Sequence, residues 1–294
     1  AVTVSETFVA GGDALIRTAA GDITLDAGVT AGGLAAVVAA AGVAQNADIA
    51  AGGDLYVEAL GGDAAMADGT SGTAGGNLRY AATGDILVGA LTAAAGDASL
   101  TAGGDILDNT ALEAANVTAL GLRLAAGGSV GGANGDADDV NEQALDIAAA
   151  NLEAVAGVDI HAQSLNAVEV GNVGDVTVSY ARFDSGATGV TDTDLTGVDA
   201  GGDAKLLSAG AVTVSETFVA GGDALIRTTA GDITLNADVT ATAGDASVVA
   251  AANVAQNADI TAGGTIDVEA FDGSVAMADG TVSRTTAGGN IRYK

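Results

Sequence analysis

Two nested repeats constrain this chain more than any other feature of its sequence. The long one is nearly exact. Residues 1–30, AVTVSETFVAGGDALIRTAAGDITLDAGVT, return as residues 211–240, AVTVSETFVAGGDALIRTTAGDITLNADVT, with three differences. Similarity continues through VAQNADI (43–49 and 254–260), VEA, AMADGT and AGGN-(L/I)-RY. The chain is therefore one unit, 1–210, followed without a linker by the start of a near-identical unit, 211–294. Periodic self-similarity marks a chain that buries its core between successive repeats.

The short period sets the physics. Gly-(Asp/Asn) steps open apolar segments at Asp13, Asp54, Asn77 and Asp97, with Leu34 in the intervening slot. A second series runs Asp22, Val43, Asp63, Asp85 and Asp105, and Asp203 and Asp223 resume the step later. Each series advances by about 20–23 residues and the two interleave, so a rung carries at least two short strands. Within strands the apolar residues alternate: Ile23 and Leu25, Leu55 and Val57, Leu78 and Tyr80, Ile86 and Val88, Val176 and Val178. Between them stand Thr24, Tyr56, Glu58, Arg79, Thr177 and Ser179. This is period-two patterning, one face inward and one outward. Leu15, Leu87 and Leu207 break it by facing out.

Corners account for the 45 glycines. Sharp bends, often at positive φ, suit Gly, and Asp accepts hydrogen bonds from free N–H groups there. The absence of proline fits strands that donate to a neighbour on each side. A helix would carry a glycine every ten residues or so, each costing about 1 kcal/mol. The one helix-compatible stretch, LDIAAANLEAV (145–155), is expected as two short strands with a bend near Asn151. The fold class that follows is all-β, a parallel β-solenoid. Its core is thin, because small residues dominate and there is no Trp.

Charge and composition exclude several functions. Asp and Glu outnumber Lys and Arg by 38 to 9, a net charge of -29, and the basic residues are scattered. That balance repels nucleic acid and anionic lipid, so neither nucleic-acid binding nor membrane insertion is expected. Absence of cysteine removes disulfides and thiol chemistry. No glycine-rich segment has the spacing of a phosphate loop.

The motifs AGGDALIRTAAGDITLDA, AGGDLYVEA, TGDILVGALTAAAGDASLTAGGDI and AGGSVGG…ALDIAAANLEAVAGVDIHA resemble filamentous-haemagglutinin-like and related giant bacterial surface adhesins. The resemblance extends over nearly the whole chain. It implies a right-handed parallel β-helix, an extracellular or cell-surface location, and adhesion or matrix building. Partners would then be further repeats, other copies joined end to end, or a cell surface or polysaccharide.

Candidate sites are few. Calcium takes six to eight oxygens, often from Asp, and the chain lacks the nine-residue calcium-roll motif. Two denser acidic stretches suit that ion better: Asp136, Asp138, Asp139 and Glu142, and Asp184, Asp192, Asp194 and Asp199 in the longest polar insertion. The competing reading is solvated turn aspartates and a flexible acidic loop. No residue is assigned as a metal ligand or to any other cofactor. The single histidine, His161, is expected on the surface beside Asp159, and nothing marks a nucleophile to accompany it. Paired carboxylates alone do not make a glycosidase, and the aromatic residues, four Tyr and four Phe, are widely spread. No catalytic residue is assigned. The expected function is a structural fibre or adhesin stalk. A calcium-dependent surface-binding module is the first alternative and a degenerate β-helix carbohydrate-active enzyme the second.

Overall fold

A computed structural model of the chain describes residues 1–111, 114–132, 143–184 and 186–294. The described residues contain strands and turns and no helix. They form a parallel β-solenoid of about 13 turns. By contact the chain divides into two units, Ala1–Gly128 with Gly174–Asp194, and Ser129–Val173 with Leu195–Lys294.

Each turn carries three strands. In the first unit one ladder joins Val2–Val4, Ile23–Leu25, Val43–Gln45, Ala64–Met66, Ile86–Val88 and Ile106–Asp108. A second joins Phe8–Ala10, Val29–Ala31, Ile49–Ala51, Ser71–Ala74 and Ala90–Ala93. The third joins strands of which the first four follow Gly-Gly pairs, from Ala14–Arg17 through Ala35–Ala39, Leu55–Ala59, Leu78–Ala82 and Ala98–Ala102 to Val117–Ala126. Partners such as Ile23↔Val43 and Leu55↔Leu78 lie 20 and 23 residues apart, the expected step. The strand of the second ladder was not anticipated: it is three or four residues long and has no Gly-Asp opening.

The second unit repeats the plan and runs its ladders across residue 210 without interruption. Val168–Val170 pairs with Val212–Val214, Val198–Ala200 with Phe218–Ala220, and Ala204–Ser208 with Ala224–Thr228. Leu145–Ala156 is one unbroken strand of 12 residues, not two separated at Asn151. It follows the bends of a turn by changing partners, from Ala162–Ser164 to Glu169–Val170 to Val198–Ala200.

The core is the stack of inward positions. Ile23, Leu25, Leu55, Val57, Leu78, Ile86 and Val88 have no exposed surface. Each fully buried Leu or Ile contributes about 1.5–3 kcal/mol. One polar pair recurs: the buried Tyr80 hydroxyl donates to Gln45 Oε1 at 2.8 Å, as that of Tyr293, which is exposed, does to Gln256 at 2.6 Å.

The corners work differently from the expectation. Pairs such as Gly32-Gly33 and Gly52-Gly53 do not adopt positive φ, as Gly131 and Gly288 do; they are glycine because turns stack there in direct contact. A Cβ on Gly52 would lie 2.4 Å from the Gly32 carbonyl oxygen, and one on Gly33 2.2 Å from Asp13 Oδ1. Corner aspartates cap N–H groups of the next turn, not of their own bend. Asp54 Oδ1 accepts from Asn77 N at 2.9 Å, and Asn77 Oδ1 in turn from Asp97 N at 2.9 Å. Asp63, Asp85 and Asp105 continue the same relay on another corner, at 2.9 and 2.8 Å.

Candidate functional site

The outer face of the third ladder in the first unit is where the pattern is broken. Parallel register places outward side chains in rows. One row is Leu15, Ala36, Tyr56, Arg79, Ser99 and Arg123; the next is Arg17, Val38, Glu58, Ala81 and Thr101. Outward residues normally meet water, yet Ala36, Tyr56, Arg79 and Ser99 are buried.

Their cover is the polar insertion. Val176–Ala181 and Ala187–Asp192 form an antiparallel hairpin, with Val178 opposite Val190 and Tyr180 opposite Thr188. This corrects two expectations. Val176 and Val178 do not belong to a rung, although G-D-V-T-V has the rung signature; and the insertion is an ordered hairpin, not a flexible loop. Val176 and Val178 are fully buried, so period-two alternation holds while the surface it faces is the outside of the solenoid.

Specific polar contacts seat the hairpin. Arg79 Nε donates to Asp192 Oδ2 at 2.8 Å and its Nη2 to Oδ1 at 3.2 Å, a two-point guanidinium–carboxylate pair. Ser99 Oγ donates to the same carboxylate at 2.6 Å. Burial acts to raise the Asp192 carboxyl, but its bonds to Arg79 and Ser99 outweigh burial and hold it below the usual carboxylate range. Ser179 N donates to Asp54 Oδ2 at 2.8 Å, Asn77 Nδ2 to the Thr177 carbonyl at 2.8 Å, and Arg123 Nε to the Thr193 carbonyl at 2.7 Å. The rings of Tyr56 and Tyr180 stack at 4.6 Å, and the Arg79 guanidinium lies 5.4 Å from the Tyr56 ring centre.

In the second unit, one residue holds the two chain ends that border the insertion. Glu153, fully buried, accepts from Val173 N at 2.8 Å on one oxygen and from Leu195 N at 3.0 Å on the other. Gly171, Asn172, Gly174 and Gly197 flank it at positive φ; Asn172 is the one non-glycine residue so placed among those described. These left-handed positions turn the chain sharply out of the ladder and back.

Beside the hairpin tip lies a cleft of about 620 Å³. The chain has four Tyr and four Phe, and three of these, Tyr56, Tyr180 and Phe183, line it together with Arg17 and Arg182. Three of the eight aromatic residues are thus gathered, and the other five lie elsewhere. Leu15, an outward exception in the sequence, forms part of its floor.

The acidic residues weighed as calcium candidates in the insertion are not brought together. Asp192 is taken by Arg79 and Ser99. Asp184 pairs with Arg182 at 3.3 Å, Asp194 donates its amide to Asp175 at 2.9 Å, and Asp199 points to solvent from Val198–Ala200. Among the described residues no group of three or more His, Asp or Glu could hold a metal ion. Asp136, Asp138, Asp139 and Glu142 lie outside the described residues. His161 corrects a further expectation. It does occupy an outward row, opposite Lys205, but is only 2% exposed. Burial, then the Lys205 charge, lowers its pKa, with Asp159 and Asp203 acting in the opposite sense. Neither ring nitrogen has a hydrogen-bond partner.

No family model, no curated protein and no solved structure matches this chain. The likeness to filamentous-haemagglutinin-like adhesins therefore rests on the sequence motifs, and the fold stands on the geometry above.

Proposed function

We propose that the chain is a non-catalytic segment of an extracellular fibre or adhesin stalk, built from head-to-tail copies of the 210-residue unit and coiled in the right-handed sense usual for parallel crossovers. One observation carries this reading. The opening rung of a unit fits the closing rungs of the unit before it. Residues 212–228 pair with 168–208 along all three ladders, and Phe218 is fully buried there, whereas its equivalent Phe8 is 40% exposed. A surface whose head fits its own tail generates an open, unclosed array. The continuous backbone ladder suits load-bearing, and the surface charge of -29 keeps such an array soluble. Immunogold electron microscopy of the producing cells, with antibody raised against the chain, tests the proposal. Label on extracellular fibres is expected; label confined to the cell interior overturns it.

A further inference from the structure

The hairpin seat of the first unit has a counterpart in the second. Outward rows there read Lys205, Leu225, Ser247, Asp267, Arg292, and beside it Leu207, Arg227, Val249, Glu269. Position by position, Leu225 stands for Leu15, Arg227 for Arg17, Val249 for Val38, Glu269 for Glu58 and Arg292 for Arg79. Asn290, the equivalent of Asn77, is also kept. A cleft of about 410 Å³ bounded by Leu225, Arg227, Val249, Glu269 and Phe271 matches the one beside the first hairpin. The difference is cover. Ala36 and Val38 are 1% and 6% exposed, while Ser247 and Val249 are half-buried.

We propose that this face is a second hairpin seat, and that its occupant is a β-hairpin of the Val176–Asp192 pattern carried by another copy of the repeat unit. The inference rests on the two seats alone and does not depend on the fibre reading. Two features of the first seat carry over: a side-chain amide for the hairpin's first strand (Asn290) and an aliphatic floor (Leu225, Val249); Arg292 is kept too, but its Nε and Nη2, the atoms by which Arg79 holds Asp192, are bonded to Asp267 and Glu269. Two features are altered. Thr265 replaces Asp54, so its hydroxyl takes over as acceptor for the amide at the Ser179 position. Asp267 replaces Tyr56, and it already holds Arg292 at 2.7 Å. The second seat thus presents a carboxylate where the first presents a ring, and it favours a hairpin with a cation at the Tyr180 position.

Titration of the intact chain with a labelled, cyclised peptide of residues 174–194 tests this; cyclisation holds a hairpin that is marginal alone. Saturable binding is expected, weakened at least about tenfold, or 1.4 kcal/mol, by Val249→Asp in the chain, and strengthened by Tyr180→Lys in the peptide. Circular dichroism and melting of the Val249→Asp chain establish that it folds. Sedimentation then separates the two sources of hairpin. Dimers of intact chain abolished by Val249→Asp show hairpins exchanged between chains, and peptide binding without dimers shows a seat filled by a neighbouring unit; both support the proposal. No saturable binding, or binding indifferent to Val249→Asp, overturns it.

Discussion

At the scale of single residues, close stacking explains more than conformational freedom does. The glycine-rich corners are legible as corners, but the reason for glycine is the carbonyl of the turn below. Gly52→Ala would set a Cβ 2.4 Å from the Gly32 oxygen, backbone against backbone. Chemical denaturation is expected to show a loss of about 1–3 kcal/mol, the usual cost of overpacking. His161 gives a second test. Its folded-state pKa lies below the ordinary value near 6.5. As pH falls through 6.5 the unfolded chain binds a proton that the folded chain refuses, so stability is full above that pH and declines below it. Melting temperature should fall between about pH 7 and pH 5, and His161→Phe should remove that slope. Sequence alternation correctly put His161 on an outward row. It could not show that the row is covered, because coverage depends on contacts that alternation does not encode.

At the scale of elements, the rung strands were legible and the hairpin was not. Ile23, Leu55 and Ile86 announce themselves by alternation after a Gly-Asp step. Val176 and Val178 carry the same signature, so the first strand of the hairpin passes for a rung. The usable signals lay elsewhere. One is Asp184-Ser-Gly186 between two alternating runs, a turn sequence. The other is Tyr56 and Arg79 at outward positions where small or polar residues are the rule. The strands of the second ladder, three or four residues each, have too few positions to show a period. Arg79 and Asp192 hold the hairpin from largely dehydrated positions, with side chains 9% and 11% exposed. Removing one member of such a pair strands the other. Arg79→Ala is expected to accelerate amide hydrogen exchange across Val176–Asp192 by about a hundredfold, equivalent to about 3 kcal/mol, with the rung strands little changed. Acid should do the same. The Asp192 carboxyl is depressed, so its contribution is present above the unfolded value near 3.9 and is lost as pH falls through the lower folded value.

At the scale of the molecule, charge and stacking set the behaviour. Carboxylates at Asp63, Asp85 and Asp105, and at Asp203, Asp223 and Asp245, recur turn after turn on single corners. Asp63, Asp85, Asp203, Asp223 and Asp245 are each secured by an N–H donor, and neighbours repel. Moderate salt should therefore raise the melting temperature by screening, while EDTA should leave it unchanged, because no group of three or more His, Asp or Glu among the described residues could hold a metal ion. The unit's head-to-tail fit is the central claim, and electron microscopy of a chain ending at residue 210 tests it most directly. That chain frees the 168–208 edge to receive residues 1–17 of another copy, as it receives 211–227 in the intact chain. Unbranched filaments are predicted, and they should disappear on Phe8→Asp. Single particles at every concentration, from a chain shown by circular dichroism to be folded, would contradict the account.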